Sequence, residues 1–422
     1  MAYNNPPVPW RELERRLSDR PGPGDRTLSG DGGDGPAWSR KRPPYQSAVS
    51  RSGNRAGAGS APRHPYAELH CHSAFSFLDG ASTPEELAEE ATRLGLEALA
   101  ITDHHGFYGV VRFAEAARVL GLPSVFGAEL TIGDSEARQG PADPRGRHLV
   151  VLARDPEGYA RLSTLLSAAQ MAGTKGHPKL SFADVAEAAG RARGHWAVLT
   201  GCRKGTVPAA LVEGGPAVAQ RELRSLVAAF GVDNTFVELW DHGDPTDSVR
   251  NDGLVGLAAA AGVQPVVTNN VHYAQPSGRR LASAMAAVRA RRSMAEIDPW
   301  LASAGMAHLR SGAEQHRRFG RYPGVVAAAA ALGRDCAFDL SLVAPSLPPF
   351  PCPAGPDGSP RSEAEYLRHL TTEGATRRYG PRHAERTHGA WDQIDRELEL
   401  ICSLGFPGYF LVVWDLVEFC RR

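Results

Sequence analysis

The chain has 422 residues, 42% of them apolar, with 47 Lys and Arg against 47 Asp and Glu. That is a globular composition with room for two or three domains at about 150 residues each, and its zero balance excludes a chain-wide cationic footprint for nucleic acid. Six cysteines without a CxxC pair, no cationic-then-apolar leader and no apolar run near the ~18 residues of a membrane span predict a cytoplasmic protein with reduced thiols and no membrane partner.

Residues 1–63 are expected to be disordered. From Pro21 to Arg63 the chain is dominated by Gly, Pro and Ser and lacks any aliphatic period, so it cannot bury enough surface to offset chain entropy. A short helical pattern, Trp10–Leu17, precedes this stretch. From Tyr66 onward, apolar runs of strand length alternate with amphipathic segments. The strands are placed at Tyr66–His70, Glu97–Ile101, Ser124–Glu129, His148–Leu152, Trp196–Thr200, Thr235–Leu239 and Pro265–Thr268. Helices are read at Thr83–Leu94, Val110–Leu120, Pro156–Gln170 and Ser248–Ala261, the first opened by a Thr83/Glu86 capping box with Pro84 at the first helical position. Seven strands in βα alternation predict an α/β fold, either a barrel or a doubly wound sheet.

Prolines and glycines crowd residues 343–362, which read as a linker between a domain at 64–342 and a helical segment at 363–422. The latter carries helical patterns at Glu363–Tyr379, Trp391–Leu404 and Phe410–Cys420. The last is apolar and uncapped, as a severed core element would be, so the chain is expected to be a fragment with apolar surface left exposed there.

His70-Cys71-His72 carries the strongest chemical signal. Alternate residues of a strand share a face, so the two imidazoles project together from its end, and Asp79 follows in the next loop. Later strands end in Thr102-Asp103-His104-His105-Gly106, Gly127-Ala128-Glu129, Asp241-His242-Gly243 and Asn269-Asn270-Val271-His272. Barrel enzymes build their sites at the C-terminal ends of strands, and metal-ligand residue types recur at that end here.

The phrases AELHCHSAFSFLDGAS, ALAITDHHGFYGVVRF, HLVVLARDPEGYARLSTLLS, LTGCRKG and VVTNNVHYA resemble the PHP (polymerase and histidinol phosphatase) domain. More specifically, they resemble the version at the head of the error-prone branch of bacterial family C DNA polymerases, related to the DNA polymerase III alpha subunit. EYLRHLTTEGATRRYG and ELELICSLGFPGYFLVVWDLVEF look like the opening of the polymerase core in its palm and thumb region. The resemblance implies a distorted (β/α)7 barrel followed by a partial helical segment of that core. Carried onto this sequence, the family's metal-binding positions fall on His70, His72, Asp79, His104, Glu129, His148, Cys202, Asn270 and His272. Imidazoles and a thiolate suit Zn²⁺-like ions, and carboxylates bridge ions, so divalent ions (Zn²⁺, Mn²⁺ or Mg²⁺) are implied here, with Mg²⁺ at the polymerase centre of the full-length protein.

The sequence departs from the proofreading-type pattern at Asn270, where that pattern has Asp in a D-x-H pair. A neutral amide binds cations less strongly than a carboxylate, so a weakened site is expected. By resemblance the full-length protein is a nucleotidyltransferase of damage-induced mutagenesis and translesion synthesis, using DNA and deoxynucleoside triphosphates and recruited by a sliding clamp and mutagenesis accessory proteins. No Asp-x-Asp pair follows Val343, so this chain alone is not expected to polymerise. A free-standing PHP phosphoesterase and a non-catalytic PHP scaffold are the competing readings.

Overall fold

The computed structural model describes residues 45–47, 64–133, 146–174, 176–297, 301, 305–340, 349–355 and 358–421. The Trp10–Leu17 helix and almost all of the expected disordered head lie outside the described residues. Residues 45–47 are the exception, and Tyr45 departs from the expectation: its hydroxyl donates to Glu89 at 2.5 Å, its amide donates to Glu115 at 3.0 Å, and it packs against the barrel core. Two compact units are present, Met1–Val343 and Ala344–Arg422.

In the first unit, seven strands form one sheet in sequential order: β1 (Ala67–Glu68), β2 (Ala98–Ile101), β3 (Ser124–Ile132), β4 (Arg147–Ala153), β5 (Trp196–Leu199), β6 (Thr235–Leu239) and β7 (Gln264–Val267). Around them lie α1 (Pro84–Leu94), α2 (Val110–Leu120), α3 (Pro156–Ala172), α4 (Phe182–Ala192), α5 (Thr206–Phe230), α6 (Asp247–Ala261), α7 (Arg279–Ala290), α8 (Gly312–Arg318) and α9 (Val325–Asp335). Helix α1 starts with the Thr83/Glu86 capping box read from the sequence, and α5 is broken at Gly215, ahead of Pro216. Strands β2 and β5 are buried at every position, as expected of strands covered on both faces.

The alternation is not uniform, because β4 runs antiparallel to both β3 and β5. The sequence pattern could not show this, since a strand buried on both faces reads alike in either direction. Its consequence is functional: the start of β4 lies at the end of the barrel where its neighbours finish.

The barrel closes between β7 and β1 beyond the regular strands. Val271 donates to His70 and His72 donates to Val271, both at 2.8 Å. Below them the buried carboxylate of Glu68 accepts from the amides of His70 at 3.0 Å and Asn269 at 3.0–3.1 Å. Helix α9, an alanine-rich run, covers this seam by packing on β7, β1 and β2. The approach is so close that a Cβ on Gly333 would sit 2.4 Å from the Cβ of Ala67. Such a run lacks polar alternation, which is why no helix was read there.

The second unit holds α10 (Glu363–Tyr379), α11 (Ala390–Ser403) and α12 (Pro407–Arg421). A capping box of Ser362 with Glu365 starts α10, and α11 and α12 are bent by 117° to one another. Leu367, Leu398 and Leu411 form a buried cluster, with Phe350 and Cys352 of the preceding segment packed against it, and Ala375 of α10 and Trp391 of α11 are also buried. That segment has no helix or strand among its described residues, but it is tied down, with the Phe350 amide donating to Glu363 at 2.6 Å. Tyr409, Leu416 and Phe419 of α12 are exposed. No single described helix is long and apolar enough to cross a membrane.

Candidate metal centre

Strand ends and adjoining loops bring all nine residues that the family resemblance implies to one end of the barrel. Eight of them line a cavity of about 380 Å³, and His70 lies beside it, against His72 and Glu129. Glu129, 1% exposed on β3, is the hub: its carboxylate oxygens lie 2.9 Å from His70 Nε2, 3.0 Å from His104 Nδ1 and 2.7 Å from His148 Nδ1. His148 arrives at the start of the reversed strand β4, paired to the Gly201–Gly205 turn that carries Cys202, with its amide donating to Lys204 at 2.9 Å. Asp79 presents one oxygen to His104 Nε2 and His272 Nδ1, both at 3.1 Å. Its other oxygen is held by Arg289 of α7 at 2.7 Å.

The two histidines just beyond β1 are aimed by partners that sequence reading missed. His70 Nδ1 faces Glu238 Oε1 at 2.7 Å, both residues fully buried. His72 Nδ1 lies 3.1 Å from Ser76 Oγ, whose own proton goes to Asp103 at 2.7 Å. Ser76 is thereby left to accept, so His72 carries its proton on Nδ1 and turns Nε2 inward, as second-layer partners do for metal-binding imidazoles. Glu238 does the same for His70. The signals existed: Glu238 is a carboxylate at an inward position of the apolar run Thr235–Leu239, and Asp103 adjoins His104. His242, just beyond β6, lines the cavity and donates from Nε2 to the Asn269 carbonyl at 2.5 Å, fixing the turn before Asn270. His105 is not among the converging residues; its Nε2 accepts from the Thr131 amide at 3.2 Å.

Several observations fit this donor set to divalent cations. Ligand atoms of His70, His72 and Glu129, of His72, Asp79 and His104, and of Glu129, His148 and Cys202 form three groups, each within 4.8 Å. The Nε2 atoms of His70 and His72 face each other at 3.1 Å. Both Glu129 oxygens and both His148 nitrogens lack a hydrogen-bond partner despite their short separations, so these atoms converge on shared space rather than on one another. The Asn270 Oδ1 is likewise buried without a partner. Asn270 holds φ at +41°, a left-handed conformation that Asn tolerates better than most residues.

The electrostatics ask for positive charge. Burial alone would lower His70, but the charge of Glu238 and the contact with Glu129 outweigh it and push the imidazole up to about 10. Burial would raise Glu129, yet the charge of His148 and the adjoining imidazoles hold it well below the usual carboxylate range. His72 is driven well below its ordinary value, first by burial and then by the charge of His104. Its ring lies between His104 and His272, with centroids 4.5 and 4.9 Å away.

The barrel and its cluster define a PHP domain: the family model of that description matches residues 68–242. A second model, the bacterial DNA polymerase III alpha NTPase domain, matches residues 365–422. The whole chain is 50% identical to an error-prone DNA polymerase of Nocardia farcinica, covering 39% of it, and 52% identical to one of Mycobacterium bovis, covering 37%. It is 46% identical, again along its whole length, to one of Cutibacterium acnes, covering 35%. The chain aligns along its whole length with part of each of these error-prone DNA polymerases, and it spans a little over a third of their length.

Proposed function

We propose that this chain forms the N-terminal part of an error-prone DNA-directed DNA polymerase, and that its PHP barrel holds divalent cations through His70, His72, Asp79, His104, Glu129, His148, Cys202, Asn270 and His272. The observation that carries the cation reading is Glu129, fully buried among three imidazoles with neither oxygen in a hydrogen bond. DNA and deoxynucleoside triphosphates are the substrates of the full-length protein in this reading, with Mg²⁺ at its polymerase centre and a sliding clamp and accessory proteins as its recruiters. The names of the relatives and the match at 365–422 support it.

Bound cations would supply Lewis acidity toward a phosphoester and a water of lowered pKa. Asp79 and Glu129 would compensate their charge, and His70 and His72, locked through Nδ1, would offer Nε2. Asn270 contributes an oxygen without charge, so repulsion between neighbouring cations is less balanced, and the reading is of a weakened site that stabilises the barrel more than it hydrolyses.

Elemental analysis of the purified chain, with digestion of a 3′-labelled oligonucleotide, tests this. Bound divalent metal is expected at or above one equivalent, falling on the order of 100-fold in affinity in His72→Ala, with slow digestion at most. A chain without metal after incubation with Zn²⁺ and Mn²⁺ would contradict the cation reading. Fast metal-dependent digestion would contradict the weakened site.

A further inference from the structure

Helix α7 forms one wall of the cavity that holds the metal-ligand cluster. The residues it turns inward are Arg279, Ala282, Ser283, Ala286 and Arg289, one face of the helix. Small side chains between the two arginines leave the wall open, and the arginines stand ten residues apart, about 15 Å along the axis. That length is the axial rise of about four stacked nucleotides at ~3.4 Å each. Between Arg279 and Ala295 the chain carries five arginines and no acidic residue.

The two arginines differ in exposure: Arg289 is half-buried deep along the wall, and Arg279 is exposed at the far end of the helix face. Arg289 is tied through Nη1 to Asp79 at 2.7 Å, while its Nε is buried without a hydrogen-bond partner. Arg279 lies across Gly305, another cavity residue, so closely that a Cβ there would sit 2.2 Å from Arg279 Cδ. The tie to Asp79 fixes the Arg289 guanidinium, which then binds a phosphate with less loss of rotamer freedom. The cavity itself calls for a ligand, since Glu129 and His148, each more than nine-tenths buried, point into it without hydrogen-bond partners.

We infer that α7 is a phosphate track for a single strand of DNA: Arg289 meets the phosphate nearest the metal-ligand cluster and Arg279 one further along the strand. This rests on the metal-centre reading for what lies at the end of the track, but the arginines themselves do not depend on metal.

The test is fluorescence anisotropy of a labelled oligothymidylate with the full chain, titrated over a range of salt with metal content measured in the same samples. Arg279→Gln and Arg289→Gln are each expected to weaken binding about 5–10-fold and to reduce the salt slope by about 0.7. Arg280→Gln, on the same helix but not lining the cavity, should do neither. Equal losses in Arg280→Gln would overturn the track in favour of diffuse helix charge. Displacement by poly-glutamate as readily as by unlabelled oligothymidylate would overturn it in favour of an acidic protein partner. Absence of oligothymidylate binding to a metal-loaded chain overturns the track and leaves the metal centre standing. Arginine-dependent binding by a chain that takes up no metal keeps the track and removes the metal centre. Because Arg279 does not touch Asp79, its variant separates loss of phosphate contact from loss of a ligand's support.

Discussion

The barrel and the C-terminal helices are both built from well-formed elements, yet they bury their apolar residues to very different extents. In the barrel, a continuous core runs from Tyr66 to Cys336 and includes every residue of β2 and β5. In the helical unit the buried apolar residues described are Leu367, Ala375, Trp391, Leu398 and Leu411, while Leu404, Tyr409, Leu416 and Phe419 are exposed. Local signals such as the Ser362/Glu365 box suffice to form a helix. Among the described residues, the barrel adds the packing that holds polar side chains at fixed separations, and it is there that the metal-ligand residues gather. Preorganisation of charged ligands is a property of the core behind them.

The comparison breaks first at the core. Leu99→Ala in β2 should cost about 2–5 kcal/mol and lower the barrel's calorimetric transition by roughly 10 °C; a loss below 1 kcal/mol would show a barrel as loosely packed as the helices. Next comes the layer behind the ligands. Glu238→Gln should weaken divalent-metal affinity 10–100-fold in competition with a chelating dye, because His70 loses its charged anchor. Unchanged affinity would mean that packing alone aims the ring. Asn270→Asp, which keeps a residue tolerant of the left-handed backbone, should tighten metal binding about tenfold and raise any nuclease activity. No change would show that position 270 does not limit the site. Smallest is Leu416→Glu in α12, expected within about 0.5 kcal/mol because the side chain is already in solvent. A cost of several kcal/mol would place Leu416 in an interface and undo the contrast.

Much of the site was legible because ligands sit at strand ends, where an apolar run stops at a His, Asp or Glu. His70, His72, His104 and Glu129 announce themselves in this way. His148 does not, since it opens a strand, and only the reversal of β4 explains its presence. Glu238 stayed hidden, because a single inward carboxylate in an apolar run carries no spacing that distinguishes a ligand's anchor from a satisfied core residue, whereas Asp103 stands at a strand end beside His104 and only the fold shows that it serves Ser73 and Ser76. Arg289 belongs to a helix outside the βα alternation, so its approach to Asp79 depends on tertiary packing. The seam helix α9 escaped because an alanine run has no period to read.

The seam has a mechanical consequence. His70 and His72 lie on its β1 side and Asn270 and His272 on its β7 side, and the regular ladder between those strands is replaced by a few amide bonds and the Glu68 carboxylate. Cations bound across the cluster would fasten the two ends of the sheet, so the circle is hooped by the ions it encloses. In a hydrogen-exchange experiment the amides of His72, Asn269 and Val271 should then slow on metal addition far more than those of β2 or β3, whose ladders are complete without it.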